Sequence, residues 1–251
     1  EAIIDTKKVP SQNFFAQLPL QIGVRFRLEN AKLQKLLDHG AAIVMNDIDS
    51  LTPGLKRLHN TIAGFTGGKV ECNLYYSQPL HRAFSLHFDV HEVYAFQVAG
   101  EKRWSVYQQT CRYPINHRAF LSGDAAHHER NKGAVSMDIT MSPGDFLYLP
   151  AGYYHQAICT NRSSAHLSFS SREFVGLDVV SELFDRAVIE EVFRTPVARR
   201  MKGGNRPVAD YLKLLAENIE TLMSDEKFVK SVESKLRSYP FQVDEVALKI
   251  G

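Results

Sequence analysis

The chain has 251 residues, 44% of them hydrophobic and 23% charged, and a formal net charge of +2. That length suits one full-sized core with a smaller appendage, and the charge is too mild for the footprint of a dedicated nucleic-acid binder. The densest basic cluster, Arg199-Arg200-Met201-Lys202, reads as a solvated loop. The three cysteines, Cys72, Cys111 and Cys159, form an odd set without zinc-like spacing, and Cys72 and Cys159 lie in apolar runs that suit a core. A reducing, cytoplasmic setting is therefore expected. No run is apolar enough for a secretory leader or a membrane span. The opening residue, Glu1, reads as the start of a trimmed piece of a longer protein.

In chain order, a short helix is expected from Asn30, as N-cap, to His39, with Gly40 as its stop. Ala41 to Met45 reads as a buried strand, and Thr52-Pro53-Gly54 opens a helix to about Ala63. Strands follow at Val70 to Ser77 and, longer, at Ser85 to Ala99. A turn at Gly100-Glu101 sends Lys102 to Tyr107 back beside the second of these. Asn116 to Ala134 reads as a long polar loop. Val135 to Met141, Phe146 to Leu149, Ala157 to Thr160 and Ala165 to Ser171 are further strands. Many short strands at this spacing predict a β-barrel or sandwich. From Gly176 the texture turns helical. Helices are expected at Asp178 to Arg194, at Pro207 to about Met223, and at Ser224-Asp225 to Arg237; Pro196 and Gly203-Gly204 break the first from the second. The expected division is 1–175 and 176–251. Such short helices must pack on the β part or on a second subunit.

The chemistry gathers in two fragments. His87-Phe88-Asp89 places an imidazole and a carboxylate two residues apart, on one face of an extended segment. Pro143 to His155 ends in a second imidazole after the bend Pro150-Ala151-Gly152. A lone histidine is ordinarily a hydrogen-bonded core or surface residue. Two imidazoles and one carboxylate together match the facial triad of non-haem Fe(II) oxygenases, which leaves positions open for substrate and oxygen. His91 continues the row but lies farther along, and reads as a pocket wall or substrate contact.

On the return strand, Lys102 shares a face with Trp104 and Val106. It either meets an anion from a bound ligand in an apolar setting or lies at the strand end and reaches water. Asn73, Tyr75 and Ser77 alternate along one strand, and His166, Ser168 and Ser170 along another. Such rows line an organic-acid pocket or face solvent.

At these residues the sequence resembles the JmjC-fold 2-oxoglutarate oxygenases, in the ribosomal-oxygenase branch of protein hydroxylases. The resemblance runs from about Gly40 to Arg172. It includes Asn73-Leu74-Tyr75, His87-Phe88-Asp89, the stretch Glu92 to Trp104 with its Gly100-Glu101-Lys102-Arg103-Trp104 turn, and Pro143 to His155.

The resemblance implies a mainly β double-stranded β-helix (a cupin or JmjC jelly roll) with flanking helices and a C-terminal helical region that forms a homodimer. It implies Fe(II) held by His87, Asp89 and His155. It implies 2-oxoglutarate held by Lys102, fifteen residues beyond His87, with Asn73, Tyr75, and Ser168 or Ser170 as hydrogen-bonding neighbours. The implied reaction uses O2, releases succinate and CO2, and hydroxylates a side chain of a protein or peptide. A small-molecule hydroxylase, histone-type demethylation, another cupin chemistry or a non-catalytic metal-binding cupin are the rival readings. Family members usually add a winged-helix domain, and none is expected in the few residues between Pro240 and Gly251.

Overall fold

The computed structural model describes residues 1–20, 22–79, 83–121, 124–160, 163–197 and 208–241. The basic cluster at 199–202, Gly203-Gly204, Pro207 and Gly123 lie outside the described residues. The chain divides into two compact units. One comprises Glu1–Thr66 and Val70–Arg172, the other Gly67–Lys69 and Glu173–Gly251.

The first unit is built on β-strands. Its large sheet holds β1 (Ala2–Ile4), β2 (Lys7–Val9), β5 (Ala42–Met45), β6 (Lys69–Ser77), β7 (Glu92–Ala99), β10 (Phe146–Leu149) and β12 (Ser164–Arg172), in the order β10-β7-β12-β6-β5-β1-β2. A second sheet, β11-β8-β9, comprises β8 (Lys102–Thr110), β9 (Val135–Met141) and β11 (Tyr153–Cys159). A separate hairpin joins β3 (Phe15–Pro19) to β4 (Val24–Leu28).

Period-two patterning explains how the sheets pack. Val93 and Ala95 of β7 and Leu147 and Leu149 of β10 meet Trp104 and Val106 of β8 and Met141 of β9 in one buried cluster between the two sheets. The opposite face of the large sheet presents Val70, Cys72 and Phe169 to Ile62 and Ala63 of α2 (Pro53–Thr66). Two facing antiparallel sheets with helices outside are the jelly roll that the sequence implies. Thr52 caps α2 by accepting from Leu55 N at 3.2 Å.

Several expected elements differ in extent. The strand expected from Ser85 begins only at Glu92, so His87 and Asp89 precede β7. In place of the long polar loop stand α3 (Arg118–Leu121) and α4 (Ala125–Asn131), the latter capped by Asp124 accepting from His127 N at 2.7 Å. Strand β11 starts at Tyr153, earlier than expected, and therefore contains His155. The first helix, α1 (Asn30–Asp38), has Glu29 rather than Asn30 at its N-cap. Strands β1 to β4 were not foreseen.

The second unit contains α5 (Gly176–Ala187), α6 (Glu191–Arg194), α7 (Val208–Ser224) and α8 (Glu226–Ser238). The helix expected to run unbroken to Arg194 is therefore interrupted after Ala187. Asp225 caps α8 by accepting from the backbone N–H of Lys227 and Phe228. Among the described residues no helix is long and apolar enough to cross a membrane.

Candidate metal centre and co-substrate pocket

One cavity of about 230 Å³ opens inside the β unit. Its walls come from the alternating rows of β6, β12 and β8 and from the segment that precedes β7. Asn73, Tyr75 and Ser77 enter from β6, His166, Ser168 and Ser170 from β12, and Lys102 and Trp104 from β8. These rows line the cavity because the other faces of β6 and β12 are occupied by the apolar cluster against α2.

His87, Asp89 and His155 converge at this cavity, each offering a ligand atom within 4.8 Å of the others. His87 Nε2 lies 3.7 Å from Asp89 Oδ1, and His155 Nε2 lies 3.6 Å from Asp89 Oδ2. The Nδ1 atoms face backbone carbonyls, that of Ser85 at 2.8 Å from His87 and that of Tyr153 at 3.0 Å from His155. A carbonyl only accepts, so each Nδ1 carries the proton and each Nε2 keeps its lone pair for a cation. Burial opposes ionisation of Asp89, yet the imidazoles of His155, His87 and His91 prevail and hold its carboxyl below the usual range. Burial, reinforced by His87, pushes His155 down to about 4, so its ring is neutral at pH 7. Two imidazole nitrogens and an ionised carboxylate are a donor set suited to a divalent metal.

The backbone fixes this set. Gly152 N donates to Asp89 O at 2.8 Å, and Cys111 N donates to Gly152 O at 2.9 Å. Gly152 has φ of +85°, and a Cβ there would overlap the Cys111 carbonyl. Glu92 joins the two ligand-bearing segments: its Oε1 accepts from Ala151 N at 3.2 Å and its Oε2 from Tyr148 Oη at 2.5 Å. Behind the site, Phe88 turns away into a cluster with Leu86, Tyr107 and Tyr154.

Lys102 is 5% exposed and does not reach water. Its Nζ donates to Ser77 Oγ at 3.1 Å and meets His166 Nδ1 at 3.3 Å. No carboxylate among the described residues is paired with it. Burial pushes its amine down to about 8. Burial, with Lys102 adding to it, also drives His166 well below its ordinary value, so the imidazole is neutral and accepts from the ammonium. The His166 ring stacks on Tyr75 at 4.9 Å and meets Trp104 edge-on at 5.6 Å. The pocket thus ends in a buried, uncompensated ammonium held by the Ser77 hydroxyl and the His166 imidazole, which fits an incoming carboxylate. The Gly100 turn that sets this register is pinned by Gln97 Nε2, which donates to Ala99 O, Gly100 O and Ser164 Oγ at 2.8–3.0 Å.

All the sequence-selected side chains, His87, Asp89, His155, Lys102, Asn73, Tyr75, Ser168 and Ser170, line this one cavity. So does His91. Sequence reasoning did not assign Trp104, Phe84 or the Glu92 link to the site. The signal for Trp104 was its shared face with Lys102; Glu92 gave none, because its partners are 56 and 59 residues away.

Residues 44–178 match the family model described as JmjC domain. The chain belongs to the JmjC domain family. Among this JmjC chain's curated relatives is the bifunctional lysine-specific demethylase and histidyl-hydroxylase NO66 of Drosophila persimilis, 31% identical over 163 residues, covering 64% of this chain and 23% of that protein. Ribosomal oxygenase 2 of Rattus norvegicus is 29% identical over 176 residues, covering 67% and 36%. The chain thus spans well under half the length of either. Among solved structures, the ribosomal oxygenase YcfD of Escherichia coli, in complex with cobalt and 2-oxoglutarate, superposes with a TM-score of 0.56 at 15% identity. The match covers 81% of this chain and 53% of that one. At that identity the likeness establishes the fold.

Proposed function

We propose that this chain is the core of an Fe(II)- and 2-oxoglutarate-dependent oxygenase that hydroxylates a side chain of a protein or peptide, with release of succinate and CO2. The observation that carries the reading is one cavity lined by both a facial His87, Asp89, His155 set and an uncompensated, buried Lys102. Fe(II) and 2-oxoglutarate, when bound, supply the activation of O2 through oxidative decarboxylation.

The chain's own residues do the rest. His87 and His155 present Nε2, Asp89 presents its carboxylate, and the three occupy one side of the ion. Lys102 meets the distal carboxylate, with Asn73, Tyr75, Ser168 and Ser170 as hydrogen-bonding neighbours. Val93, Trp104 and Ala157 exclude water from the same wall. Phe84, 40% exposed, and His91 stand where an entering side chain would pass. The names of the curated relatives support a protein substrate, with ribosomal protein as the first candidate. Three free cysteines, with no sign of a disulfide framework, support a reducing, cytoplasmic setting. In the helical unit, Leu177, Val180, Phe184 and Val188 fall on one face of the α5 region and are all exposed, which supports a homodimer formed through that face.

The test is anaerobic titration of Fe(II)-loaded protein with 2-oxoglutarate, followed by visible absorption. A metal-to-ligand charge-transfer band that is lost in Lys102→Ala supports the oxygenase reading. A well-folded, iron-loaded protein that gives no band overturns it in favour of a binding role or another cupin chemistry.

A further inference from the structure

Strand β4 is exposed at every position. Val24 is 52% exposed, Phe26 59% and Leu28 41%, and Leu20 and Ile22 beside it are open as well. Val24, Phe26 and Leu28 share one face with Pro19, Gln17 and Phe15 of β3, and Arg25 and Arg27 share the other with Leu18 and Ala16. Among the described residues β4 pairs with β3 alone. A ribbon of two strands is marginal in water, and a third strand is one of the additions that stabilise it.

The hydrogen-bond register fixes which edge of the ribbon is open. Leu20 N donates to Gly23 O at 3.2 Å, and Glu29 N donates to Phe14 O at 2.9 Å. Hydrogen-bonded pairs alternate along an antiparallel ladder, so between these two rungs Arg25 and Arg27 turn their backbone groups toward β3. Val24, Phe26 and Leu28 turn theirs outward. On β3 the outward set includes Pro19, which has no N–H and blunts that edge. The β4 edge has no such block. Pairing of two copies about Phe26, the register that overlaps the whole strand, sets Arg25 of one copy against Arg27 of the other, and like charges directly opposite are unfavourable. A carboxylate in that place is favourable, and among the described residues neither arginine has one. We propose that β4 docks an antiparallel strand of an acidic partner polypeptide. In that strand, apolar residues opposite Val24, Phe26 and Leu28 alternate with Asp or Glu opposite Arg25 and Arg27. None of these β4 residues lines the cavity, so the docking stands apart from the chemistry there.

The probe is a short, end-blocked peptide of alternating valine and glutamate, titrated into nitrogen-labelled protein and followed by NMR. The amide cross-peaks of Val24, Phe26 and Leu28 are expected to move and to gain protection from hydrogen exchange. The same peptide N-methylated at its valines cannot donate to β4 and should leave those cross-peaks in place. A peptide with lysine for glutamate should bind the wild type at least about tenfold more weakly. Arg25→Glu with Arg27→Glu, both at exposed positions, should reverse that preference. Cross-peaks of β4 that stay put with the glutamate peptide overturn the proposal, as do equal affinities for the two peptides. Where the double variant fails to fold, the N-methylated and lysine peptides on the wild type decide alone. A dimer by light scattering that Phe26→Asp dissociates would give the strand to a second copy instead. Sedimentation with phosphatidylserine vesicles, lost in the double variant while the peptide moves nothing, would give it to a membrane surface; either result overturns the proposal.

Discussion

His87 and His155 exchange both of their backbone hydrogen bonds, His87 N to His155 O at 3.2 Å and His155 N to His87 O at 2.8 Å. The two imidazoles therefore sit on directly opposed residues, with ring centroids 4.5 Å apart, although their segments are distant in sequence. Asp89 is fixed next to this bridge by the hydrogen bond from Gly152 N to its carbonyl. The geometry of the metal centre is thus a property of backbone pairing before it is one of side-chain rotamers.

Gly152→Ala tests that dependence. The residue needs a left-handed φ and has no room for a Cβ. The backbone conformation alone should cost about 1–3 kcal/mol, and displacement of Cys111 should move the segment that holds Asp89. The expected outcome is a lower urea midpoint together with weakened Co(II) binding in a competitive titration. A variant with wild-type values of both would show that the Gly152 contact does not position the site.

Metal and co-substrate should separate by mutation. A metal that binds only the folded state at 100 times its Kd adds about 2.7 kcal/mol, which for a chain of this size raises Tm by roughly 5–10 °C. Zn(II) should produce that rise in the wild type and in Lys102→Ala, and neither His87→Ala nor Asp89→Ala should respond. Addition of 2-oxoglutarate to the Zn(II) forms should raise Tm further in the wild type only. In a turnover assay with Fe(II), His87→Ala and Asp89→Ala should be inactive; iron-dependent turnover in both would remove the triad from the mechanism.

The amine of Lys102 supplies a pH dependence. Burial lowers it to about 8 in the ligand-free pocket, from 10.5. A carboxylate binds the ammonium and not the free amine. Affinity for 2-oxoglutarate should therefore be level below pH 8 and weaken above it, by up to tenfold per unit. The same depression acts on stability with the opposite sign. Between pH 8 and 10.5 the unfolded chain holds the proton that the folded chain has released, so the contribution of this residue to stability rises with pH there. Calorimetric titrations of wild type and Lys102→Met from about one unit below to about one unit above the shifted amine check the binding limb. A pH profile shared by both proteins would place the titrating group elsewhere.

What was legible in the sequence was local. The alternation Lys102, Trp104, Val106 and the rows on β6 and β12 have period two, and a strand buried on one side and lining a cavity on the other obeys that period throughout. The spacing of His87 and Asp89 put both side chains at the cavity even though no strand forms there, since an extended backbone keeps the alternation without a ladder. What was not legible depends on distant partners. Strand β1 exists because Ala2 and Ile3 pair with Ile43 and Ala42, and three residues give no pattern of their own. The expected strand start at Ser85 was wrong because, among the described residues, the segment before Glu92 forms an isolated bridge, His87–His155, and no ladder. Within the expected polar loop, α4 depends on the Asp124 cap, a signal visible in Asp124-Ala125 but outweighed by the glycines around it.

Glu92 is the clearest case of a residue whose role only the fold reveals. Its carboxylate accepts from Tyr148 Oη and Ala151 N, and so ties the residue after the His87–His91 segment to the turn that leads into His155. Partners that hold a ligand-bearing backbone typically account for about 10–100-fold in metal affinity. Glu92→Ala, which loses both contacts, should weaken Co(II) binding by about tenfold. Glu92→Gln keeps an oxygen for Ala151 N and should lie within about threefold of wild type, because a neutral amide retains roughly half the strength of a charged acceptor. Tyr148→Phe should fall between them, as it removes one contact only. Equal Co(II) affinity in all four proteins, measured against a chelator of known strength, would show that the two segments are held together without Glu92.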